Sequence, residues 1–231
     1  MRGETMISTP ELKNKKEPDV MVIDIDGTLY DKKKYIHFIE QSKQIEITLL
    51  STMLKIPHRE FIQLLEQQKT SLNINSDINA ILHMGIRFDQ WTQVRISSTW
   101  ISQLKKNTKL TNAIVNFPGI IVFASNCPRC IAERILRLFN LEKFQLFTYE
   151  SIGFIKPNPE FFIKIARLLG KNPSQLISIG NNLEHDCLAA QLAGFQQTVL
   201  VNGPLDVIKH LKGYQLKTNT SNITSNIISV L

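Results

Sequence analysis

Two aspartates, Asp24 and Asp26, close an apolar run that begins at Val20, and Gly27 and Thr28 follow at once. Carboxylates at the end of a buried strand are costly unless a cation, a shared proton or water meets them. Where a chain bends at a strand end, both can face one cavity. Such a pair can split phosphate-ester hydrolysis into two steps, one carboxylate attacking phosphorus while its neighbour moves the proton. Other groups suited to phosphate stand further along. Ser125 and Asn126 end a second apolar run, Lys156 precedes a helix start, and Gly180-Asn181-Asn182 ends a third run with Asp186 close behind. An ammonium would offset charge on the phosphoryl oxygens, and a hydroxyl with nearby backbone N–H groups would hydrogen-bond them. Gly27, Thr28, Ser125, Asn126 and Lys156 are therefore the candidate phosphate-binding residues. A hard divalent ion such as Mg²⁺ would hold carboxylate and phosphate oxygens together.

These residues need a frame. Asp19–Asp26, Gly119–Ser125, Phe144–Tyr149, Leu176–Ile179 and Thr198–Val201 read as short strands, apolar and rich in β-branched or aromatic residues. Helical patterns lie between the later ones. Ile131, Ile135, Leu138 and Phe139 share a helical face. Asn158-Pro159-Glu160 is a helix start that runs to Gly170, and another helix spans about Glu184 to Ala193. Strands alternating with helices predict a parallel sheet, whose ligands bind at the carboxyl ends of the strands. The interval from Asp26 to Gly119 is too long for one crossover. It reads as helices over Tyr35–Leu54, His58–Lys69, Asp77–Met84 and Phe88–Lys105, the last with Trp91, Val94, Ile101 and Leu104 on an apolar stripe. The fold class is thus α/β, a Rossmann-like parallel sheet carrying an all-helical insertion.

In this order and context the motifs resemble those of the haloacid dehalogenase superfamily. Asp-Ile-Asp-Gly-Thr at 24–28 is similar to its first motif, Ser125 to its second, Lys156 to its third and Gly180–Asp186 to its fourth. The resemblance implies a Mg²⁺-dependent phosphomonoester hydrolase working through an aspartyl phosphate. Asp24 would be the nucleophile, and Asp26 the general acid, then base, with its backbone carbonyl on Mg²⁺. Ser125 and Lys156 would orient the phosphate, and Asp24, the residue at 181 and, through water, Asp186 would join that carbonyl on the metal, so that Asp24, Asp26, Asn181 and Asp186 are the implied ligands. Residues 32–107 would be a helical cap, and 1–31 with 108–231 the core. Family members of this layout act as 5′-nucleotidases or as phosphoglycolate and sugar-phosphate phosphatases, so a nucleoside monophosphate or sugar phosphate is the preferred substrate class. One position departs: Asn181 stands where the family usually has a metal-binding Asp. That leaves two alternatives, a weakened phosphate-binding or regulatory protein and a metal-independent 2-haloacid dehalogenase. Asp26, which the dehalogenating members lack, speaks against the second.

Composition narrows the rest. A chain of 231 residues with 43% hydrophobic and 20% charged residues can bury its own core, which excludes collagen, coiled coil and wholesale disorder. Mean hydropathy is −0.07, and no stretch approaches the roughly 18 apolar residues that span a bilayer. The polar N-terminus lacks a signal-peptide core, so a cytoplasmic location is expected. Net charge is +7, which favours anionic partners, but the basic residues are dispersed and argue for a small phosphorylated metabolite over nucleic acid. Cys127 and Cys130 have redox or half-zinc spacing, read here as packing at a helix start. His185 reads as a surface or supporting histidine, Lys32–Lys34 as a solvated linker, and Trp91 and Trp100 as core rather than base-stacking residues. The tail from Thr218 reads as polar loop, and its sequons at Asn219 and Asn222 as chance matches.

Overall fold

The apolar runs become five short parallel strands. The structure is a computed structural model that describes residues 20–74, 76–96 and 99–214; the segment before Val20 and the tail from Thr218, with Asn219 and Asn222, lie outside them. The strands are β1 (Val20–Ile23), β2 (Ile120–Ala124), β3 (Gln145–Phe147), β4 (Leu176–Gly180) and β5 (Gln197–Leu200). They lie in the order β3-β2-β1-β4-β5. β1 is central and buried along its whole length, which is why its sequence is an unbroken apolar run rather than an alternating one. Its side chains still alternate. Met21 and Ile23 join the cluster that contains Phe123, Ile135, Phe139 and Ile177, while Val20 and Val22 join the one that contains Phe161, Phe162 and Ala190.

The register aligns the chemistry. Ile23 pairs with both Phe123 and Ile179, so Asp24, Ala124 and Gly180 leave the sheet abreast. The Asp24 N–H donates to the Ile179 carbonyl at 2.8 Å, and the Ser125 N–H to the Phe147 carbonyl at 3.0 Å. The chain order reverses around β1, which opens a crevice at the carboxyl ends of the strands.

Four helices follow β1: α1 (Ile36–Leu54), α2 (His58–Ser71), α3 (Asp77–His83) and α4 (Phe88–Ile96). They bury a cluster of their own, with Leu50, Phe61, Leu65, Ile81 and Trp91 at its centre. The single helix expected over Phe88–Lys105 is not formed: α4 ends at Ile96 and a 3-10 turn spans Trp100–Gln103. The two halves pack apart, Trp91 and Val94 among the inserted helices and Trp100, Ile101 and Leu104 in the main core. Helix α5 (Thr108–Val115) then leads into β2, capped by Asn107, whose side chain accepts from the Leu110 N–H at 3.1 Å.

Helices α6 (Arg129–Leu138), α7 (Tyr149–Ile152) and α8 (Pro159–Leu168) follow, the last capped by Asn158 as its sequence implies. The helix expected over Glu184–Ala193 is a π-helical turn, Leu183–Leu188, running into α9 (Ala189–Leu192). Such turns are frequent at functional sites, and this one holds Asp186. A further helix covers residues 204–214. No described helix is long and apolar enough to cross a membrane.

Candidate active site

The chain turns sharply after β1. The Thr28 and Leu29 N–H groups both donate to the Ile25 carbonyl, at 3.2 and 3.0 Å, and Gly27 takes φ +84°, a conformation that costs a residue with a Cβ. Both aspartates therefore lie on one tight turn. Asp24 is buried, and each of its carboxylate oxygens has a partner: Lys156 Nζ donates to Oδ1 at 2.7 Å and the Thr28 hydroxyl to Oδ2 at 2.9 Å. Asp26 is half-buried. The Tyr30 hydroxyl donates to its Oδ1 at 2.7 Å and the Ser125 hydroxyl to its Oδ2 at 3.2 Å. Ser125 is fixed in turn by the Cys127 N–H, which donates to its Oγ at 2.9 Å.

Lys156 spans the crevice. Its ammonium donates to Asp24 Oδ1, to Asp186 Oδ1 at 2.6 Å and to the Ala124 carbonyl at 3.3 Å, which uses all three protons. Asn126 clamps the Lys156 backbone from both sides: its Nδ2 donates to the Lys156 carbonyl and its Oδ1 accepts from the Lys156 N–H, both at 2.8 Å. Of the candidate phosphate ligands, Thr28 and Asn126 thus have their side chains committed to Asp24 and Lys156. Asp186 Oδ2 accepts from the Asn182 N–H at 3.0 Å. A Cβ on Gly180 would fall 2.3 Å from Asp186 Cγ, so only glycine lets the π-helical turn bring that carboxylate over the strand end.

Asp24, Lys156 and Asp186 place one cation between two carboxylates in a nearly dry setting. Burial first, then repulsion from Asp186, pushes the Asp24 carboxyl up to about 7, even though Lys156 pulls the other way. Burial pulls the Lys156 ammonium down, but the Asp186 and Asp24 charges outweigh it and hold it above its ordinary value. Burial and the adjacent Asp26 carboxylate hold the Tyr30 phenol well above its usual value, so it stays a donor. Burial and then the Lys156 charge hold the His185 imidazole below its ordinary value.

The two aspartates, Ser125, Asn126, Lys156, Asn181 and Asp186 all line one cavity of about 770 Å³ that extends up between the inserted helices. The upper wall carries Arg95, whose Nη1 donates to both Glu46 oxygens at 2.8 and 3.0 Å, while its Nη2 lies 3.6 Å from Cys127 Sγ. Arg95 also sits 5.4 Å from the Trp91 ring centroid. Tyr30, Arg95 and Glu46 were outside the sequence-derived set. Tyr30 carried a signal, four residues beyond Asp26 in the same turn. Arg95 and Glu46 carried none, because 49 residues separate them.

Mg²⁺ can be tested against these residues. Among the described residues no group of three or more His, Cys, Asp or Glu side chains could hold a metal ion. The donors on offer are mixed: the Asp24 carboxylate, the Asp26 backbone carbonyl and the Asn181 amide oxygen. Asn181 lies tight over the first-motif turn, where a Cβ on Gly27 would sit 2.4 Å from its Nδ2 and 3.3 Å from its Oδ1. An all-oxygen set of few protein ligands suits Mg²⁺, which keeps waters and takes phosphate oxygens. The residues fit, with one charge fewer than an aspartate at 181 would supply.

The side readings resolve simply. All three cysteines are free thiols. Burial pushes the Cys127 thiol well up and raises those of Cys130 and Cys187, which disfavours the thiolate that redox or zinc chemistry needs. Lys32–Lys34 form an exposed 3-10 turn. Trp91 and Trp100 are buried in the two clusters, though both touch the cavity.

A family model for haloacid dehalogenase-like hydrolases matches residues 18–194. A glyceraldehyde 3-phosphate phosphatase of Methanopyrus kandleri is 38% identical over 63 residues, 27% of each chain. Its counterpart from Methanothermobacter thermautotrophicus is 34% identical over 74 residues, 32% of each chain. The chain thus spans about a third or less of the length of these curated relatives. A HAD phosphatase from Thermococcus onnurineus has the same fold, with a TM-score of 0.52 at 16% identity, covering 79% of this chain and 86% of that one.

Proposed function

Because the chain belongs to the haloacid dehalogenase-like hydrolases, we propose that it hydrolyses a small phosphomonoester through a phosphorylated Asp24. One observation carries this reading. Asp24 is aimed by Lys156 and Thr28, and Asp26 stands on the same turn with its own partners, both facing one cavity. In the first step an Asp24 oxygen bonds to phosphorus as the ester P–O bond breaks, and Asp26 gives its proton to the departing oxygen. In the second, Asp26 takes a proton from water, whose oxygen attacks phosphorus and frees Asp24 and inorganic phosphate. Ser125 and Lys156 hold the phosphoryl oxygens. Mg²⁺, held by Asp24, the Asp26 carbonyl, Asn181 and, through water, Asp186, would offset charge between carboxylate and phosphate.

Residues 32–107 act as a cap that closes the cavity and excludes water, on a core of 1–31 and 108–231. The substrate is a small phosphorylated metabolite, preferably a nucleoside monophosphate or a sugar phosphate, met in the cytoplasm. The names of the two curated relatives, which specify glyceraldehyde 3-phosphate, support the sugar-phosphate side. Release of inorganic phosphate from a phosphometabolite panel, with and without Mg²⁺, tests the proposal. No release from any ester at high Mg²⁺ would refute it.

Asn181 favours one second reading, phosphate binding with weakened turnover. Asn181→Asp separates the two. Restoring the second full charge is expected to tighten Mg²⁺ binding about tenfold or more, on the order of one pair of charges at a partly buried site. Titration calorimetry and the Mg²⁺-dependent rise in Tm read this directly. If the variant also turns a silent protein into an active one, the binding reading holds for the native chain. If native turnover is already substantial, it fails.

A further inference from the structure

Tyr30 is a buried hydroxyl that the mechanism has not used. It ends the turn that carries both aspartates, and its ring is gripped on two sides. Tyr35 meets it edge-on with centroids 6.1 Å apart, and Trp100 lies tilted against it at 5.6 Å. Those two rings sit on the two chain segments that connect the sheet to the inserted helices, Tyr35 just before α1 and Trp100 after α4. The Tyr35 hydroxyl also accepts the Lys105 N–H at 3.2 Å, which ties one connection to the other. A phenol packed this way has little freedom to swing. Its hydroxyl is a fixed point 2.7 Å from Asp26 Oδ1. The other oxygen, Oδ2, faces Ser125 at 3.2 Å, on the side where phosphate would lie.

We infer that Tyr30 is a positioning residue: its hydroxyl occupies Asp26 Oδ1 and leaves Oδ2 as the oxygen that passes the proton to the ester, an arrangement tied through Tyr35 and Trp100 to the seating of the helices. This rests on the reading of Asp26 as the proton carrier. In the step concerned, the bond from an Asp24 oxygen to phosphorus forms and the ester P–O bond breaks. The electron pair stays on the ester oxygen, which takes the proton from Asp26 Oδ2 and leaves as an alcohol.

Leaving-group dependence exposes such a role. An alkoxide needs the proton to depart, whereas p-nitrophenolate departs without it. The value of kcat/KM reports only the steps through transfer to Asp24, so dephosphorylation does not blur it. Tyr30→Phe keeps the ring and both aromatic contacts and removes only the oxygen. Well-placed general acids contribute about 10²–10⁴-fold. For an alkyl phosphomonoester, kcat/KM is expected to fall by about 10–100-fold, chiefly in kcat. That loss should exceed the loss with p-nitrophenyl phosphate by about tenfold or more. In an Asp26→Asn background the same substitution should add little, because the group it positions is gone. Equal losses on both esters, no loss on either, or an additive loss in the double variant would each overturn the inference while leaving Asp24 chemistry intact. A native chain that hydrolyses neither ester overturns the parent reading and this one with it.

Discussion

Asp24→Asn is expected to abolish turnover and, at pH 8, to melt at a higher temperature than the native chain. The first half follows from the role proposed for Asp24. An amide cannot form the acyl phosphate, and loss of a covalent nucleophile costs about 10⁴-fold or more in kcat. The second half follows from the charges. Asp24 and Asp186 share a single ammonium, so the buried group carries an excess negative charge. The folded carboxyl sits at about 7, against 3.8 for an unperturbed aspartate. A group raised on folding lends its full stability below the unfolded value and loses it as pH rises through the folded one. The native chain should therefore weaken between about pH 4 and pH 8, and the amide variant should not share that loss. Removing the excess charge leaves Lys156 and Asp186 as a balanced pair. The gain is expected to be on the order of 1–2 kcal/mol, or about 2–8 °C in Tm for a chain of this size. It should be seen at pH 8 and shrink towards pH 5. Scanning calorimetry of both proteins across that range in EDTA is the measurement. A variant that melts lower at pH 8 would show that Asp24 is held chiefly by attraction to Lys156.

The same residues show what a linear sequence can reveal. Asp24, Ser125 and Gly180 were readable because each ends an apolar run whose residue types admit little but a buried strand, and register alone then brings Asp24 and Gly180 abreast, with Ser125 one residue further on. Lys156 was readable because Asn158 and Pro159 mark the helix start beside it. What stayed hidden depends on distance along the chain. The clamp of Asn126 on Lys156 joins residues 30 apart, and the Glu46–Arg95 pair joins two helices by packing that no local pattern encodes. The break between α4 and the Trp100 turn was missed because the apolar stripe continues through it; the stripe serves two cores, not one. Two helices were overlooked although their signals are present. Asn107 caps α5 ahead of Leu110, Ala113 and Ile114, and Val207, Ile208 and Leu211 are buried at helical spacing within 204–214. The π-helical turn had no signal except the residue spacing from Gly180 to Asp186, and only the close approach of that carboxylate to the glycine explains it.

Lys156→Met should be the most damaging single substitution to the fold. Methionine is close to lysine in length and fills the same slot, so packing changes little. What changes is charge. Asp24 and Asp186 would face each other with no cation between them, and the Ala124 carbonyl would lose its donor. Removing one partner of a buried ionic group costs about 3–5 kcal/mol, equivalent to about 6–20 °C in Tm here. The loss depends on pH with a definite sign. Asp24, already raised by burial and by Asp186, would rise further without Lys156 and bind a proton more readily. The penalty should then be greatest at pH 8 and ease towards pH 5. The double variant Lys156→Met/Asp186→Asn removes the facing carboxylate as well and should recover part of the lost stability, a coupling that a double-mutant cycle isolates. Catalysis is not expected to return with the fold. The recovered protein would lack the group that, in the proposed mechanism, aims Asp24 and steadies the phosphoryl oxygens, so kcat should remain depressed about 10²-fold or more. If the single variant melts within about 2 °C of the native chain at pH 8, Lys156 does not bear on stability as the geometry demands. If the double variant melts no higher than the single, the facing carboxylates are not the cause of the loss. On the proposed mechanism fold and catalysis draw on one ammonium, and this pair of variants separates the two roles.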